Sequence, residues 1–483
     1  MIFKVLNFLK KYAIWKNLIF LAVVLFFVNQ NRIQNIKPFM ADSIQNATYS
    51  YHLAYKNLFS LDGVSPSYLR EPLMPFIHSV YIKLFTSVPD GLTQEELISN
   101  LNYVEQISRI NIFYLGLLFF SIWYLVFQLT RSHILVIPLS LFSFGYFSMG
   151  ISFTISQLSE VPAVILVNFF IGVLISIRRK PSIPKYLILG SILGFLAILK
   201  AVFYYLGFGF ILIYYLINAI FDNRISICSV RYFLVFLICF FAVIFPWMLR
   251  NKFYFNDFSI AERGGTILLL RAVKNQMTDE EFKGGFYAWA PDPVKNYIFE
   301  PLTNYSRADL MDGGTLRRFS RNLPEDREFF KRGEIDSIQN FFMRTLLVIV
   351  PKLSDNADSL GVKLDVYLKD YSIGMILSDF PNHLEKSVLF FWRGIWFYEG
   401  RSLILNSLIF VVFLSFWISI VLGWIRLDKE LIIISLLPIL YLFFHIFLTH
   451  NLPRYSYPIL SLLTIFPYYS FEKSNLYTKF QIK

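Results

Sequence analysis

The residues best suited to chemistry in this sequence of 483 residues are charged side chains at the ends of apolar segments. They comprise three acids, four cations and one histidine: Asp42, Glu71, Glu160, Arg70, Lys200, Arg250, Arg454 and His450. A carboxylate can accept a proton from a reacting hydroxyl, and a Lys or Arg side chain can hold an anionic group. Charged groups near a bilayer core are costly, so this placement favours a site or a pathway.

Each of these residues also has a purely structural interpretation. Asp42 can cap a helix that lies on the surface, and Arg70 and Glu71 can form an exposed ion pair that stabilises little. Glu160 can simply begin a helix, near the positive end of the helix dipole. The remaining arginines can anchor to lipid headgroups, and the histidine can be an ordinary loop residue. Taken singly, the residues leave these alternatives open.

The composition indicates a helical membrane protein. Hydrophobic residues make up 56% of the chain, charged residues only 16%, and the mean hydropathy is +0.53. Apolar runs of about 17–25 residues, the length of a helix that crosses a bilayer, recur along the chain. The predicted fold class is therefore all-α and polytopic, with surface-lying helices in the outer loops. The first apolar run has no small-residue cleavage site after it, so we expect a retained anchor.

About ten membrane spans are predicted, with the approximate bounds 13–29, 109–129, 134–150, 160–177, 184–199, 201–220, 232–249, 402–424, 431–449 and 455–471. The apolar stretch from Pro184 to Ile220 is too long for one spanning helix, so we expect a turn at Lys200. Two further apolar stretches, 344–352 and 386–398, are too short to span. They are expected to lie on the membrane surface.

These spans divide the chain into three regions. Residues 1–250 form a membrane domain whose first outer loop covers about 30–108. Residues 251–401 form an extracytoplasmic region with interfacial helices, and residues 402–483 hold the last spans and a short cytoplasmic tail. The inner segments carry sixteen Lys and Arg residues and the short outer loops only two, which places both termini in the cytoplasm.

The net charge of +12 is explained by this asymmetry and requires no nucleic acid partner. Cys228 and Cys239 lie in or beside one span, so no disulfide is expected in the outer loops. Common soluble-enzyme signatures are missing, including GxGxxG after a strand, the Walker loop, CxxC and HExxH. The chain also lacks the Asp-x-Asp pair with which nucleotide-sugar enzymes often bind a metal diphosphate.

The order of the charged residues resembles the C-type glycosyltransferase superfamily of integral membrane enzymes. It is most similar to the branch that contains protein O-mannosyltransferases and lipid A aminoarabinose transferases. The matching elements are Asp42 in the first outer loop, "YLREPLMP" (68–75), Glu160 at the start of a span, "GSILGFLAILK" (190–200), "PWMLRN" (246–251) and "HNLPRYSYP" (450–458). Three details differ from the family pattern: Ala201 stands where Pro is common, about ten spans is a low count for this branch, and one extra residue precedes Arg454. The resemblance does not extend to residues 251–401.

The resemblance implies transfer of a sugar from a polyprenyl-phosphate-linked donor to a hydroxyl of a glycan, lipid or protein acceptor. It places the active site on the extracytoplasmic face of the inner (cytoplasmic) membrane. Asp42 would be the general base, with Glu71 or Glu160 orienting the acceptor or binding a divalent metal ion. Arg70, Lys200, Arg250 and Arg454 would hold the donor phosphate. Asp42, Glu71 and His450 are the possible metal ligands, and inversion of the anomeric carbon is expected.

Three other functions stay open. A ligase or polymerase that uses polyprenyl-pyrophosphate glycans would need similar residues. A polytopic lipid or sugar transporter would place polar residues at mid-membrane and show a repeat, and no repeat is visible. A scaffold protein without catalytic activity would not need acids and cations together on one face.

Overall fold

The computed structural model describes residues 13–130, 135–151, 156–222, 227–320, 323–396 and 402–473, and these residues form helices and loops without a strand. They divide into two compact units. The first contains the chain up to Ala261, Val412–Leu440 and the segment from Tyr457 onward. The second contains Glu262–Val411 and Tyr441–Ser456. The predicted all-helical fold class is confirmed for the described residues.

Up to residue 261 the α-helices are α1 (Ala13–Gln34), α2 (Asp42–Lys56), α3 (Leu73–Phe85), α4 (Gln94–Ser99), α5 (Leu101–Ser108), α6 (Ile110–Thr130), α7 (Val136–Ile151), α8 (Glu160–Arg179), α9 (Ile183–Leu199), α10 (Val202–Asp222) and α11 (Ile227–Phe255). From 262 to 402 they are α12 (Gly264–Lys274), α13 (Asp279–Ala288), α14 (Asp292–Val294), α15 (Glu300–Leu302), α16 (Leu323–Lys331), α17 (Phe341–Arg344), α18 (Val350–Ser359), α19 (Leu364–Ser378) and α20 (Phe380–Ile395). The remaining helices are α21 (Leu403–Ile425), α22 (Lys429–Leu448) and α23 (Leu460–Lys473).

Shorter helical pieces connect several of these elements. They are the π-helical turns Lys295–Phe299 and Thr345–Ile349 and the 3₁₀ turns Arg307–Leu310, Arg317–Phe319, Ile335–Ser337 and Pro453–Ile459. The two stretches expected to lie on a membrane surface are helical, within α17–α18 and α20, although residues 397 and 398 fall outside the described chain. Their contact with a membrane stays a prediction.

Six helices of the described chain are long and apolar enough to cross a membrane, which fits a helical membrane protein but corrects the predicted count of ten spans. The six are Ile14–Gln34, Leu101–Thr130, Glu160–Arg179, Val230–Phe255, Leu403–Ile425 and Lys429–Leu448. The predicted spans 134–150 and 184–199 fall on helices of 16 and 17 residues, α7 and α9. The predicted span 201–220 falls on α10, in which the stretch Val202–Tyr214 counts as a short apolar helix among the described residues. At a rise of 1.5 Å per residue, 17 residues reach only about 26 Å of a bilayer core of about 30 Å. The predicted span 455–471 begins as a 3₁₀ turn and continues as a helix of 14 residues.

The first outer loop has an apolar core of its own. Pro72 and Pro75 lie at the start of α3, where backbone N–H groups have no helical partner, so both prolines are tolerated there. Helices α2, α3, α4 and α5 bury one shared cluster of side chains: Phe39, Ala47, Tyr51, Ala54, Ile82, Val88, Leu97, Val104 and Ile107. Burial of this kind contributes about 1.5–3 kcal/mol per large apolar side chain, so the loop is a defined scaffold.

Helices α9 and α11 pack in very close contact. A Cβ atom added at Gly190 would collide with the carbonyl oxygen of Phe236, and one added at Gly194 would lie 2.7 Å from Val243. Only glycine allows this approach. The chain turns at Lys200 directly after α9, as predicted, because α9 ends at Leu199 and α10 begins at Val202.

A buried amide links three helices of the first unit. The Asn168 side chain on α8 donates hydrogen bonds to the hydroxyls of Ser121 on α6, at 3.0 Å, and Ser461 on α23, at 3.2 Å. All three side chains are buried. A polar group away from water is costly unless it is hydrogen-bonded, so these bonds fix which faces of the helices meet.

Candidate functional site

Asp42 and Arg70 form an ion pair that links α2 to the loop before α3. Asp42 is the first residue of α2, and Ala41 before it has a φ of 48°, a conformation that side chains with a Cβ rarely adopt. Arg70 donates to the Asp42 carboxylate and, through Nε, to Gln45 Oε1 at 2.5 Å. Arg70 therefore fixes one turn of α2 by two side chains three residues apart.

Glu71 turns to a different element from its neighbour Arg70. Its Oε1 accepts a hydrogen bond from the backbone N–H of Ala201 at 3.1 Å, at the turn between α9 and α10. Arg70 and Glu71 therefore do not form the exposed ion pair that was one interpretation of the sequence. Instead, adjacent charges hold two separate segments of the first unit.

Glu160 and Lys200 form a second, more sheltered ion pair. The ammonium of Lys200 lies 3.4 Å from Glu160 Oε1, and the two side chains are 15% and 5% exposed. Glu160 begins α8, as predicted, where the helix dipole favours a negative charge. Lys200 caps α9, and its own N–H donates to the Leu196 carbonyl.

Neutral polar side chains close these contacts into a ring. The backbone N–H of Gln157 donates to Ser43 Oγ at 3.0 Å, and Asn46 Nδ2 donates to the Gln157 carbonyl at 2.8 Å. Gln157 lies three residues before Glu160, and Ser43 directly follows Asp42. The ring therefore runs through the starts of α2 and α8, the turn at 200–201 and the loop at 70–71. It gathers five of the eight predicted residues: Asp42, Arg70, Glu71, Glu160 and Lys200.

Arg250 lies at an apolar groove beside this ring. The groove has a volume of about 450 Å³ and is lined by Leu53, Asn57, Leu58, Phe59, Pro66, Pro72, Phe76, Ile198, Val243, Pro246, Trp247, Arg250 and Tyr254. Pro72 directly follows Glu71, and Ile198 lies two residues before Lys200, so the groove borders both elements. A cavity of this size and character is typical of small-molecule sites.

Hydrogen bonds and aromatic rings hold Arg250 in place. Its Nη1 donates to the Ser67 carbonyl and to Asn251 Oδ1, both at 2.9 Å. The guanidinium lies 4.5 Å from the ring centre of Trp247 and 5.2 Å from that of Tyr254. Contact with aromatic faces stabilises a cation in a partly dry setting. Helix α11 continues past Arg250 to Phe255, further than predicted.

Two further residues of the "PWMLRN" element, besides Arg250, fix this end of α11 by hydrogen bonds. Trp247 Nε1 donates to the Ile260 carbonyl at 2.8 Å, and Asn251 Nδ2 donates to the Ser259 carbonyl at 2.8 Å.

Tyr49 on α2 shares a hydrogen bond of 2.6 Å with Ser67 Oγ. Burial raises the pKa of Tyr49, so its hydroxyl stays neutral and can donate.

His450 and Arg454 belong to the second unit, unlike the other six predicted residues. Their expected roles, in metal and phosphate binding respectively, stay predictions. Within the described residues, no three or more His, Cys, Asp or Glu side chains come together as a metal site. Asp42 and Glu71 each contact protein groups, and the possible divalent metal ion also stays a prediction.

The residues that sequence reasoning missed are the neutral ones. Ser43, Gln45, Asn46, Ser67 and Gln157 position the charged groups but match no signature. The signal that could have found some of them is polarity in an apolar setting, as for Gln157 in "ISQLSE" before α8.

No protein-family model, no curated protein and no solved structure matches this chain.

Proposed function

We propose that this protein is a membrane glycosyltransferase of the extracytoplasmic face of the inner (cytoplasmic) membrane. It moves a sugar from a polyprenyl-phosphate-linked donor to an acceptor hydroxyl on a glycan, lipid or protein. The observation that supports this most directly is Arg250, a cation at an apolar groove that borders the elements carrying Glu71 and Lys200. A polyprenyl phosphate has the matching parts, a hydrocarbon chain next to an anionic phosphate.

Donor binding divides between the groove and the bilayer. The groove takes the first isoprene units against Phe59, Phe76 and Trp247, and the rest of the chain lies among lipids. Arg250 engages the phosphate, since its planar guanidinium can donate to two oxygens at once. Lys200 is the next cation along the border of the groove and balances the charge that develops on the leaving phosphate.

The transfer itself needs one proton acceptor. The acceptor oxygen bonds to the anomeric carbon as its proton passes to Asp42. The bond between the anomeric carbon and the phosphate oxygen breaks, and polyprenyl phosphate leaves with the electron pair. A single displacement of this kind inverts the anomeric configuration.

Exposure favours Asp42 over Glu160 as the proton acceptor. The Asp42 side chain is 25% exposed and can be reached by a substrate, whereas the Glu160 side chain is 5% exposed and lies beside Lys200. Arg70 orients Asp42, and Glu160 holds Lys200 in position. Each acid of the ring thus has a separate task, which a binding protein without catalysis would not require.

The test begins with lipids extracted from the purified protein and analysed by mass spectrometry. We expect a polyprenyl phosphate or its sugar-linked form, and transfer of label from a synthetic polyprenyl-phosphate sugar to native membranes. A bound polyprenyl pyrophosphate would favour the ligase or polymerase, and bound lipid without any transfer would favour a transporter. Absence of any polyprenyl lipid would refute the proposal.

The proposed side of the membrane has its own test. Single cysteines placed at Gln94 and Asp312 should react with a membrane-impermeant thiol reagent in intact cells, and one at Arg179 should not. Labelling of the Arg179 position in sealed cells would contradict the proposed topology.

A further inference from the structure

Three cations of the second unit lie against one pair of aromatic rings. The ring centres of Trp289 and Phe390 are 5.2 Å apart. The guanidinium of Arg271 lies 4.0 Å from the Phe390 ring centre, and that of Arg393 lies 4.4 Å from the Trp289 ring centre. The ammonium of Lys274 contacts both rings, at 5.4 Å from Trp289 and 5.9 Å from Phe390. Three basic side chains therefore share one site.

The guanidinium of Arg271 is satisfied by hydrogen bonds to uncharged groups. This fully buried side chain donates to Asn275 Oδ1, to Ser387 Oγ at 2.8 Å, and to the carbonyls of His383 and Ile446. All four acceptors are uncharged. Burial lowers the pKa of Arg271 to about 9, which still leaves the guanidinium charged at neutral pH.

Lys274 lies in the same cluster without a hydrogen-bond or ion-pair partner among the described residues. Lys274 is 5% exposed. Burial, and then the charges of Arg393 and Arg271, hold the pKa of Lys274 well below its usual range. Burial and the neighbouring guanidinium groups thus favour the neutral amine of Lys274, and an anion bound beside it would favour the charged form.

The imidazole of His450 is a second polar group in this cluster. His450 is 5% exposed, and its Nδ1 is buried without a hydrogen-bond partner in the part of the chain that the structure describes. Its carbonyl accepts from Arg393 Nη1 at 3.0 Å, which ties it to the cluster. The charges that act on its imidazole come from Lys274, Arg393, Arg454 and His445, which are all basic residues.

We propose that this cluster is a binding site for a phosphate group, with Lys274 and His450 in direct contact and Arg271 and Arg393 supplying positive charge. Several basic side chains gathered at one pair of aromatic rings suit a phosphate, which carries up to two negative charges on three oxygens. A lipid headgroup, a phosphorylated glycan or free phosphate would offer this chemistry. The inference does not depend on the proposed sugar transfer, because its residues differ from those of the Arg250 groove.

The experiment uses the full chain with Arg250→Gln, so that phosphate binding at the proposed donor site is weakened. Thermal unfolding is followed in neutral detergent with inorganic phosphate or with chloride at equal ionic strength. We expect phosphate to raise the unfolding temperature and to bind at least about 10-fold more weakly after Lys274→Met, which removes a charge-assisted hydrogen bond. Without phosphate, Lys274→Met should unfold at a higher temperature, because it replaces a buried polar group by an apolar side chain of similar length.

Lys283→Met is the matched control, since Lys283 is an exposed lysine of α13 in the same unit. Phosphate should raise the unfolding temperature of this variant as much as it does in the chain with Arg250→Gln alone. A second arm replaces detergent by phosphatidylcholine bilayers with or without phosphatidic acid. A higher unfolding temperature with inorganic phosphate identifies the ligand as a soluble phosphate compound. A higher unfolding temperature only with phosphatidic acid identifies it as a lipid headgroup.

Three outcomes would overturn the site. One is a phosphate effect no larger than that of chloride, with no effect of phosphatidic acid. Another is an undiminished response after Lys274→Met. The third is an equal rise in unfolding temperature with acetate, which would show that the cluster binds anions in general.

Discussion

The carboxylate of Glu71 accepts a hydrogen bond from the backbone N–H of Ala201, 130 positions away in the sequence. This bond ties the proline-bounded loop before α3 to the turn that carries Lys200. This carboxylate oxygen is thus one of the contacts that hold the segment of Arg70 beside the Glu160–Lys200 pair. Glu71 is in this respect a positioning residue.

Replacing Glu71 tests that role. Glu71→Gln keeps an oxygen that can accept the Ala201 N–H, so sugar transfer should stay within a few-fold of wild type. Glu71→Ala removes the acceptor, and transfer should fall about 10–100-fold, since small misplacements of reacting groups cost that much. The measurement is transfer of a labelled sugar from a lipid donor. Equal losses in both variants would instead indicate that the charge of Glu71 acts on the substrate.

Asp42→Asn addresses the proposed base. Asn has nearly the same size and can still receive a hydrogen bond from Arg70, but it cannot accept the proton of the acceptor hydroxyl. We expect donor binding to persist and transfer to fall at least about 100-fold, the usual range for general-base loss. Asp90→Asn, at an exposed position of the same loop, is the control and should have no effect. Transfer close to wild type in Asp42→Asn would remove Asp42 from the mechanism.

Arg250→Gln should abolish co-purification of polyprenyl phosphate while protein abundance stays the same. Arg250→Lys should restore it only in part, because an ammonium cannot engage two oxygens in a plane. Lys252→Gln is the matched control, as an exposed cation on the same helix. The amount of bound lipid per protein is measured by mass spectrometry. Lipid retained at wild-type level in Arg250→Gln would exclude this arginine from the donor site.

The backbone before Asp42 gives a stability prediction. Ala41 has a φ of 48°, which glycine adopts readily and alanine does not. Ala41→Gly should therefore stabilise the protein, by up to about 1 kcal/mol, as strain relief outweighs the greater freedom of the unfolded chain. Ala54→Gly within α2 should destabilise the protein by about 1 kcal/mol, because glycine is unfavourable inside a helix. Both are read from thermal unfolding, and a destabilising Ala41→Gly would contradict the strain at this position.

The second unit should lose stability in acid. Burial, and then Arg271, lower the pKa of His383 to about 4 from its ordinary value of 6.5, and its Nδ1 lies 3.0 Å from Asn275 Nδ2. The unfolded chain binds the proton first as pH falls, so stability decreases between pH 6.5 and 4. His450, whose pKa is also lowered by burial, acts in the same direction. His383→Gln should make the pH dependence shallower, and an unchanged slope would show that His383 is not the titrating group.

Sequence reasoning worked where a local rule decides the structure. The length of the apolar run predicted the turn at Lys200, and an acid followed by a proline predicted that α8 begins at Glu160. It failed in the count of spans, because several apolar runs stop as helices too short for a bilayer. Apolar content alone does not tell a spanning helix from one packed among neighbours.

The partners of the charged residues could not be predicted. Asp42 meets Arg70 because α2 and α3 share an apolar core, and no spacing rule relates residues 28 positions apart in different elements. The cluster around Lys274 was invisible for a similar reason, since its members come from distant segments of the second unit. Charge pairing over such separations is a property of the completed fold.

The amide of Asn168 has a consequence for the order of synthesis. Its two hydroxyl partners are made at very different times, Ser121 before it and Ser461 only 293 residues after it. At about 5–20 residues per second, a ribosome needs roughly 15–60 s to cover that interval. During this delay one hydrogen bond of a buried donor is missing inside the nascent first unit. The insertion machinery, or a chaperone beside it, must therefore tolerate an unfinished helix packing until α23 arrives.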